Sequence, residues 1–392
     1  MTPQGALTSV SLDGTNGAIP YAGLLLGRNG LLYGTTTTGG ASGNGEVFRL
    51  NSQTGVITVL HSFGGSDGAS PEAPLMPGPG GKYYGTTSTG GADNFGAVFS
   101  ITPSGTFKSL HSFSGAGQGQ NPSAGLTLGS DGVLYGVTYG GGTNGSGTIF
   151  KITARGTFAK LSDVAPSSGS LLLATDGNMY GTTVAGGGIG QGSVFKLTPA
   201  GVVTVLHSFD GVDGANPEAG LLQASDGKIY GTTVFGGGHG EGSIFSIASD
   251  GTVTTLYSFP SFDHVDGANP FGLMQHTDGK FYGTTSEGGT SINCDSFDSI
   301  GCRTVFSLDL GLRPFVTFVV ASGKVGSVIE ILGTGLTGTT ALSFNGVPAS
   351  SFKVVRGTLI KATLPTGATT GPVTVITSNG TLTSNVNFTV LP

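Results

Sequence analysis

Charged residues and long apolar runs are both scarce in this chain of 392 residues. Asp, Glu, Lys and Arg together make up only 10% of it, and the formal net charge is −6 at pH 7. Because the sequence has no basic patch and no run of Lys and Arg, it argues against nucleic acid or an anionic membrane surface as a partner. It also has no run of 18 or more apolar residues, so we expect no membrane insertion.

Cysteine is almost absent, since Cys294 and Cys302 are the two that the chain contains. Both fall in the same loop, so we expect a disulfide there if the protein is exported. Two cysteines without a CxxC pair supply too few ligands for zinc, and we expect no metal site of that kind. The chain opens with MTPQGALTSV and becomes repeat-like almost at once, which is consistent with the removal of an export signal. Few Lys and many Thr, Ser and Gly residues further indicate an extracellular or cell-surface protein.

Glycine, in contrast, is abundant, with 74 residues beside 18 prolines. This composition lies outside the usual range for helical and α/β proteins. Val, Ile, Leu, Phe and Tyr are numerous enough for a buried core, and they occur in short blocks separated by glycine-rich turns. The composition therefore predicts a globular all-β protein.

A ten-residue phrase, first LLYGTTTTGG and later for example KIYGTTVFGG, occurs six times. Successive tyrosines of the phrase are 51, 51, 45, 50 and 52 residues apart. A period near 50 residues with period-2 apolar patterning is typical of a β-propeller and excludes helical repeats. The tyrosines are Tyr33, Tyr84, Tyr135, Tyr180, Tyr230 and Tyr282.

One repeat, residues 215–259, contains four strand candidates: AGLLQA, KIYGTTV, GSIFSI and TVTTLYSF. Asp-Gly turns at the first and third connections predict a four-stranded meander, which is one propeller blade. Six repeats therefore predict a six-bladed β-propeller over residues 1–312. The segment ALTSVSLDG at 6–14 matches the last strand of a repeat. We expect this N-terminal strand to close the ring as the outer strand of the sixth blade.

The period breaks at the start of the second predicted domain, residues 313–392. This segment alternates β-branched strands with turns at short intervals, as in a small immunoglobulin-like β-sandwich. The sequence thus predicts a propeller followed by a sandwich.

Two family resemblances support this division. The pattern GL…DG.LYGTT..GG…G.VF.I…LHSF across residues 5–312 resembles the GloVer tandem-repeat family of secreted bacterial proteins with varied C-terminal anchors, which implies a β-propeller and export. The phrases GSVIEILGTGL, ALSFNGVPA and GPVTVITSNG in residues 314–391 resemble the IPT/TIG immunoglobulin-like domain. That resemblance implies a spacer or interaction module without catalytic residues.

Functional residues are expected where loops are long and variable. In a propeller, the loops between blades and those between the second and third strands share one face. The loops of the fifth and sixth repeats depart most from the consensus, and their acidic and histidine residues are the catalytic candidates: His239, Glu241, Asp263, His264 and Glu287. Residues of the rim that suit ligand binding are Tyr21, Phe95, Tyr139, Phe235, Asp266 and Phe271.

Other recurring residues are expected to be structural. The phenylalanines at Phe48, Phe99, Phe150, Phe195, Phe245 and Phe306 are expected to pack between blades. His61, His111 and His207 are expected to occupy a structural packing position on the outer strands. The turn aspartates are expected to shape their turns through hydrogen bonds to the backbone. Glu72 and Glu218 follow proline at equivalent positions, but two opposite rims are expected to be too far apart for a glycosidase carboxylate pair.

Three functions remain open. The leading hypothesis is a monomeric, secreted binding or scaffold protein that recognises a polysaccharide or cell-surface component through its loop-rich face. The alternative is a polysaccharide hydrolase or lyase that uses the acidic and histidine residues of the fifth and sixth repeats. A structural surface repeat is the third. We expect no cofactor, with calcium bound by Asp210 and Asp213 or by Asp263 and Asp266 as the open alternative.

Overall fold

A computed structural model describes residues 9–27, 29–115, 117–260, 266–289 and 303–391. These residues form 33 strands and two short 3-10 helices, Pro79–Gly81 and Thr143–Gly145. Within these ranges there is no helix with the length and hydropathy that a bilayer span requires. The prediction of an all-β protein is confirmed.

The first four repeats each form four strands. Their bounds are β1 (Leu25–Leu26), β2 (Leu32–Thr36), β3 (Glu46–Asn51), β4 (Val56–Ser62), β5 (Met76–Pro77), β6 (Tyr83–Thr87), β7 (Ala97–Ile101), β8 (Phe107–Ser112), β9 (Thr127–Leu128), β10 (Leu134–Thr138), β11 (Gly147–Ile152), β12 (Phe158–Val164), β13 (Leu172–Leu173), β14 (Met179–Thr183), β15 (Ser193–Leu197) and β16 (Val203–Ser208). In every one of these repeats the four strands pair antiparallel in chain order, β1-β2-β3-β4 and so on. The predicted four-stranded meander is therefore confirmed for these repeats.

The fifth and sixth repeats continue the pattern. Their strands are β17 (Leu222–Gln223), β18 (Ile229–Thr233), β19 (Ser243–Ile247), β20 (Val253–Ser258), β21 (Ala268–Gln275), β22 (Phe281–Glu287) and β23 (Val305–Leu308). The sixth repeat thus has three described strands. A fourth was expected from residues 6–14, but 6–8 lie outside the described residues and 9–13 are not part of a strand. Ring closure by an N-terminal strand stays a prediction.

The C-terminal segment forms ten further strands. They are β24 (Val316–Phe318), β25 (Ser322–Lys324), β26 (Val328–Gly333), β27 (Ala341–Phe344), β28 (Val347–Pro348), β29 (Ser351–Arg356), β30 (Leu359–Thr363), β31 (Val373–Thr377), β32 (Gly380–Thr383) and β33 (Thr389–Leu391). Two four-stranded sheets have the orders β24-β26-β30-β29 and β28-β27-β31-β32, and β25 pairs parallel with β33. One apolar cluster contains Ile331 and Ile360 of the first sheet and Phe344 and Val373 of the second. Both sheets therefore contribute to one core.

The chain divides into two compact units. The first comprises Met1–Leu221, Gly231–Gly272 and Ser286–Cys302, and it holds the sheets of the first four repeats. The second comprises Leu222–Tyr230, Leu273–Thr285 and Arg303–Pro392, and it holds the C-terminal sheets. The predicted boundary between residues 312 and 313 stays a prediction.

Neighbouring repeats of the first unit share their apolar cores. One cluster joins Tyr33 and Val47 of the first repeat with Tyr83 and Phe99 of the second. The ring centroids of Tyr33 and Tyr83 lie 4.4 Å apart. Because a single four-stranded sheet cannot bury both of its faces, stacking against the next repeat supplies the missing core.

A glycine of the second strand lies beneath a phenylalanine of the third strand in each complete repeat. Gly136 of β10 pairs with Phe150 of β11, and a Cβ added to Gly136 would lie 2.5 Å from the ring. Phe150 is fully buried. The same pairing recurs at Gly34 with Phe48, Gly85 with Phe99, and Gly181 with Phe195. The packing role predicted for these phenylalanines is confirmed, and it explains the glycine of the YGTT phrase.

The outer-strand histidines also pack between repeats. The His61 ring stacks on Phe107 of the next repeat, with 3.7 Å between centroids and 5° between planes. His111 stacks in the same way on Phe158, at 3.9 Å. The Nε2 atom of His61 lies 2.8 Å from Asp67 Oδ2 in the following loop. These contacts agree with the predicted structural role.

The turn aspartates shape their turns as expected. Asp131 accepts a hydrogen bond from the Val133 backbone N–H at 3.1 Å, and its second oxygen accepts one from the Tyr135 hydroxyl at 2.9 Å. Burial and the nearby Asp131 carboxylate raise the pKa of Tyr135 to about 12.

Replacing Gly136 by alanine should lower the free energy of unfolding by about 1–3 kcal/mol, because the new methyl group overlaps the buried Phe150 ring. The measurement is a denaturant titration that compares the unfolding midpoints of the two proteins, provided that the dependence of the free energy of unfolding on denaturant concentration is unchanged. Gly188→Ala is the matched control, since no atom lies within 4 Å of its Cβ position. It should change stability by no more than about 0.5 kcal/mol. Equal midpoints for the two variants would show that the contact between glycine and phenylalanine does not constrain the sheet.

Candidate functional site

Two sets of loops meet at one end of the repeat sheets. In the second repeat, the backbone N–H of Ala69, in the loop before the repeat, donates to the carbonyl of Thr89, in the loop within it, at 2.8 Å. In return, the backbone N–H of Gly91 donates to the carbonyl of Gly65, also at 2.8 Å. We call the described residues of these loops the loop face. They are 13–24, 63–75, 113–125, 165–170, 209–220 and 266–272 between repeats, and 37–45, 88–96, 139–146, 184–192 and 234–242 within repeats.

A residue with positive φ fixes each of five loops between repeats. They are Ile19, Ser70, Asn121, Asn216 and Asn269, with φ between 52° and 57°, and each precedes a proline. This conformation favours asparagine over most other residues with a side chain. In four cases the backbone N–H of this residue donates across to the preceding repeat. The acceptors are the carbonyls of Asn44, Phe95, Gln191 and Glu241, at 2.8–2.9 Å.

Two asparagine side chains strengthen this link between repeats. Asn121 Nδ2 donates to the Ser88 carbonyl at 2.9 Å, and Asn216 Nδ2 donates to the Val184 carbonyl at 2.7 Å. Each acceptor belongs to the repeat before the asparagine. The loop face is therefore held by main-chain and side-chain hydrogen bonds.

The residue that follows the proline occupies one shared position on this face. We call these residues, with Ser168 at the equivalent place in the fourth repeat, the post-proline residues. The Pro166 carbonyl accepts a hydrogen bond from Val184 N–H, and the Asn216 carbonyl accepts one from Val234 N–H. Pro166 is therefore equivalent to Asn216, and Ser168, two residues later, is equivalent to Glu218. The full set is Tyr21, Glu72, Ser123, Ser168, Glu218 and Phe271.

Close backbone packing brings neighbouring post-proline segments together. Ser168 Oγ donates to the Glu218 carbonyl at 3.0 Å. A Cβ at Gly169 would lie 2.7 Å from the Ala219 carbonyl oxygen. Gly125 N–H donates to Ser170 Oγ at 3.0 Å in the same way, one repeat earlier. The segments of the third, fourth and fifth repeats thus lie side by side.

Aromatic and acidic side chains share the post-proline position. Tyr21 is 71% exposed and Phe271 is 41% exposed. Glu72 is half-buried, and its Oε1 atom accepts a hydrogen bond from Ser88 Oγ at 2.8 Å. Burial raises the pKa of the Glu218 carboxyl above its ordinary value. Exposed ring faces beside hydrogen-bond acceptors suit a ligand with both apolar and hydroxyl-bearing surfaces.

The other predicted ligand-binding residues differ in exposure. Tyr139 and Phe235 are 49% and 48% exposed on loops within repeats. Phe95 is half-buried and packs against the apolar cluster of the second and third repeats. Asp266 is exposed, and its carboxylate accepts a hydrogen bond from the Tyr257 hydroxyl at 2.6 Å. Asp213 makes the equivalent contact with His207 in the preceding loop.

The predicted catalytic cluster is only partly described. His239 is exposed in a turn, Glu241 accepts the Asn269 N–H through its backbone carbonyl, and Glu287 ends β22. Asp263 and His264 lie outside the described residues, as do Cys294 and Cys302. The described part of the chain has no group of three or more His, Cys, Asp or Glu residues arranged for a metal ion. The cluster and the disulfide stay predictions.

The aspartates considered for calcium are engaged in their own loop. Asp210 Oδ1 accepts the backbone N–H groups of Val212 and Asp213 at 2.9 and 3.2 Å. Asp213 Oδ2 lies 2.6 Å from His207 Nε2. The second pair includes Asp263, which lies outside the described residues. Calcium at these positions stays a prediction.

The equivalence of Tyr21 and Phe271 with Glu72 and Glu218 was not predicted from the sequence. The signal that groups them is present in the sequence, because proline precedes all four. Ser123 and Ser168 were missed because serine is common throughout the chain.

Replacing Glu218 by glutamine should raise the melting temperature at pH 7. Because burial raises the pKa of Glu218, the fold disfavours its charged form. The protonated Glu218 carboxyl contributes fully to the free energy of unfolding when the pH is below its pKa in the unfolded chain. This contribution is lost as the pH rises through its pKa in the folded protein. The advantage of the glutamine variant should therefore disappear below pH about 4.

Melting curves from pH 3 to 8 for the wild type and both glutamine variants supply the measurement. Glu72→Gln is the control, because the Glu72 carboxylate accepts a hydrogen bond from Ser88 and should show no such gain. A pH-independent difference between Glu218→Gln and the wild type would contradict the assignment.

Solved structures with widely different sequences are similar to this fold. A fungal alcohol oxidase in complex with copper is 14% identical, with 94% of this chain and 85% of that chain covered and a TM-score of 0.53. The luciferin-regenerating enzyme is also 14% identical, with 76% and 94% covered and a TM-score of 0.47. At this identity the likeness concerns the fold alone, which is all-β and propeller-like.

No curated protein matches the sequence. The sequence model of the Gloeobacter/Verrucomicrobia repeat matches residues 1–171 and again residues 158–360. The two matches overlap and extend beyond residue 312, where the ten-residue phrase no longer occurs. They cover most of the chain and confirm that it is built from tandem repeats. The chain belongs to the Gloeobacter/Verrucomicrobia repeat family.

Proposed function

We propose that the protein is a secreted or cell-surface module that binds an extracellular polysaccharide through its loop face. The observation that carries the proposal is the set of exposed aromatic side chains on this face: Tyr21, Tyr139, Phe235 and Phe271. An aromatic ring can stack on the apolar face of a sugar ring while nearby polar groups bind its hydroxyls. Several exposed aromatic side chains on one face indicate an interaction site, whereas apolar residues scattered singly over a surface do not.

Loop rigidity supports binding. The links from Ser70, Asn121, Asn216 and Asn269 to the preceding repeat fix the backbone of four loops on this face, including the loop that carries Phe271. A preorganised surface loses less conformational entropy when its ligand binds than a flexible one does. A polysaccharide, which presents weakly binding units in series, benefits most from such a surface.

The charge of this face favours a neutral polysaccharide. Glu72 and Glu218 occupy the post-proline position, and the chain carries a net charge of −6. Carboxylates accept hydrogen bonds from sugar hydroxyls but repel uronate groups. We therefore expect neutral glycans to bind better than acidic ones.

Hydrolysis is the second candidate function, because burial raises the pKa of Glu218. A raised carboxyl pKa is a property of the general acid in glycosidases. A glycosidase also needs a second carboxylate at a defined distance, and the candidates Glu241, Asp263 and Glu287 with His239 and His264 stay predictions.

The finer architecture belongs to the same proposal. We propose that the six repeats form six blades, closed by the N-terminal segment, and that Cys294 bonds to Cys302. Five four-stranded repeat sheets, each with its strands paired in chain order, support the blades. The two C-terminal sheets around one core support an immunoglobulin-like sandwich of the IPT/TIG kind that acts as a spacer. We expect a monomer.

Tyr21→Ala and Phe271→Ala should each weaken polysaccharide binding about tenfold, which corresponds to about 1.4 kcal/mol, because each removes a stacking surface. The assay is sedimentation of the purified chain with insoluble glycans from plants and microbes. Val202→Ala is the control: Val202 is 57% exposed in the turn between β15 and β16, at the opposite end of these strands. Its affinity should equal that of the wild type.

Mass spectrometry of the supernatants separates the functions. Binding without soluble products supports the binding module. Oligosaccharide products that disappear in Glu218→Gln would establish hydrolysis instead. Neither binding nor products would leave a structural surface repeat, and equal losses in all three alanine variants would contradict the assigned face.

A further inference from the structure

The first repeat contains a buried carboxylate without a counter-charge. Glu46 is 1% exposed at the start of β3, where it pairs with Thr36 of β2. Ser62 Oγ donates to Glu46 Oε1 at 2.5 Å. The second oxygen, Oε2, has no hydrogen-bond partner, and the buried hydroxyl of Thr36 has none either. No ion pair among the described residues includes Glu46.

The third, fourth and fifth repeats place two hydroxyls at this pair of positions. Thr138 contacts Thr148 at 2.8 Å, Thr183 contacts Ser193 at 2.8 Å, and Thr233 contacts Ser243 at 2.9 Å. Hydroxyls both donate and accept, so each pair satisfies itself. An ionised carboxylate only accepts, which leaves the first repeat short of a positive or hydrogen-bearing partner.

A backbone carbonyl adds a third oxygen to this place in the fold. In the fifth repeat, Ser243 Oγ donates to the Asp213 carbonyl at 3.0 Å. The next residue is Gly214, and a Cβ added to it would lie 2.5 Å from Thr233 Oγ1. In the first repeat the corresponding glycine is Gly17, whose Cβ position lies within 2.4 Å of Thr36 Oγ1. The carbonyl that corresponds to Asp213 therefore belongs to Asn16.

The two unpaired atoms belong to residues that face each other across β2 and β3. Because Thr36 Oγ1 and Glu46 Oε2 have no partner within hydrogen-bond distance, they do not bond to one another. A donor set made only of carboxylate, hydroxyl and carbonyl oxygens suits hard cations and excludes soft metals. A cation also removes the free-energy penalty of a buried, unpaired charge.

We propose that Glu46, Thr36 and the Asn16 carbonyl bind one hard cation, with water in the remaining coordination positions. The site is separate from the aspartates considered above for calcium and from the post-proline residues. Bound there, the cation neutralises Glu46 and connects the loop before the first repeat to residues 37–45. It is thus a structural ion of the loop face in the first repeat, at the position where the third, fourth and fifth repeats use hydroxyl pairs.

Thermal unfolding of the full chain after chelation tests this proposal. Added CaCl2 is the probe for a divalent ion and NaCl for a monovalent one, with choline chloride at equal ionic strength as the reference. The wild type should melt at a temperature that rises with the logarithm of the concentration of one of the two cations. Isothermal titration of that cation should show one additional site relative to Glu46→Thr.

Glu46→Thr is the decisive variant, because it installs the hydroxyl pair that the third repeat uses at Thr138 and Thr148. It should fold, melt at or above the temperature of the chelated wild type, and lose the cation response. A chelated wild type that responds to neither cation beyond choline would overturn the proposal. So would a Glu46→Thr variant that keeps the full response, since the ion would then bind elsewhere.

Discussion

The close contact between a glycine of the second strand and a phenylalanine of the third is the constraint on which the repeat depends. Only a hydrogen atom fits beneath the ring, as the 2.5 Å between the Gly136 Cβ position and Phe150 shows. The contact sets the register of the two central strands and leaves the phenylalanine free to enter the core shared with the neighbouring repeat. Two features of the repeat, the glycine after the tyrosine and the phenylalanine fourteen residues later, thus meet one physical requirement.

The rigid sheets allow the loops at their ends to vary. Backbone hydrogen bonds from Ser70, Asn121, Asn216 and Asn269 attach four of the loops to the repeat before each of them, and these bonds are independent of most side chains. Side chains such as Tyr21, Glu72 and Phe271 can therefore differ at one position without disturbing the fold. A constant backbone with variable side chains is the arrangement that binding surfaces commonly use.

Periodicity made much of the fold predictable. The spacing of the YGTT phrase, the blocks of apolar residues and the Asp-Gly turns predicted an all-β chain of four-stranded repeats, and the structure confirms four strands in each of the first five repeats. Strand lengths were less predictable. The segment AGLLQA was expected to form a strand, whereas β17 contains Leu222 and Gln223 alone. The glycine and alanine before it serve close packing between repeats, which local patterning does not reveal.

The candidate site was less predictable because equivalence along the sequence does not determine burial. Phe95 and Tyr139 both occupy glycine-rich loops, yet the first packs against a core and the second is exposed. Glu46 reads as an ordinary charged residue at the start of a strand, and only the structure shows that it is buried with an unpaired oxygen. In both cases the deciding contacts come from a neighbouring strand or loop.

Aromatic residues at the post-proline position are proposed to contact a glycan. A crystal structure of the chain with an oligosaccharide from a glycan that it retains would show this contact. We expect sugar rings stacked on Tyr21 or Phe271, with hydroxyls donating to Glu72 or Glu218. An oligosaccharide bound on the outer strands or on the C-terminal sheets, with the loop face empty, would contradict it.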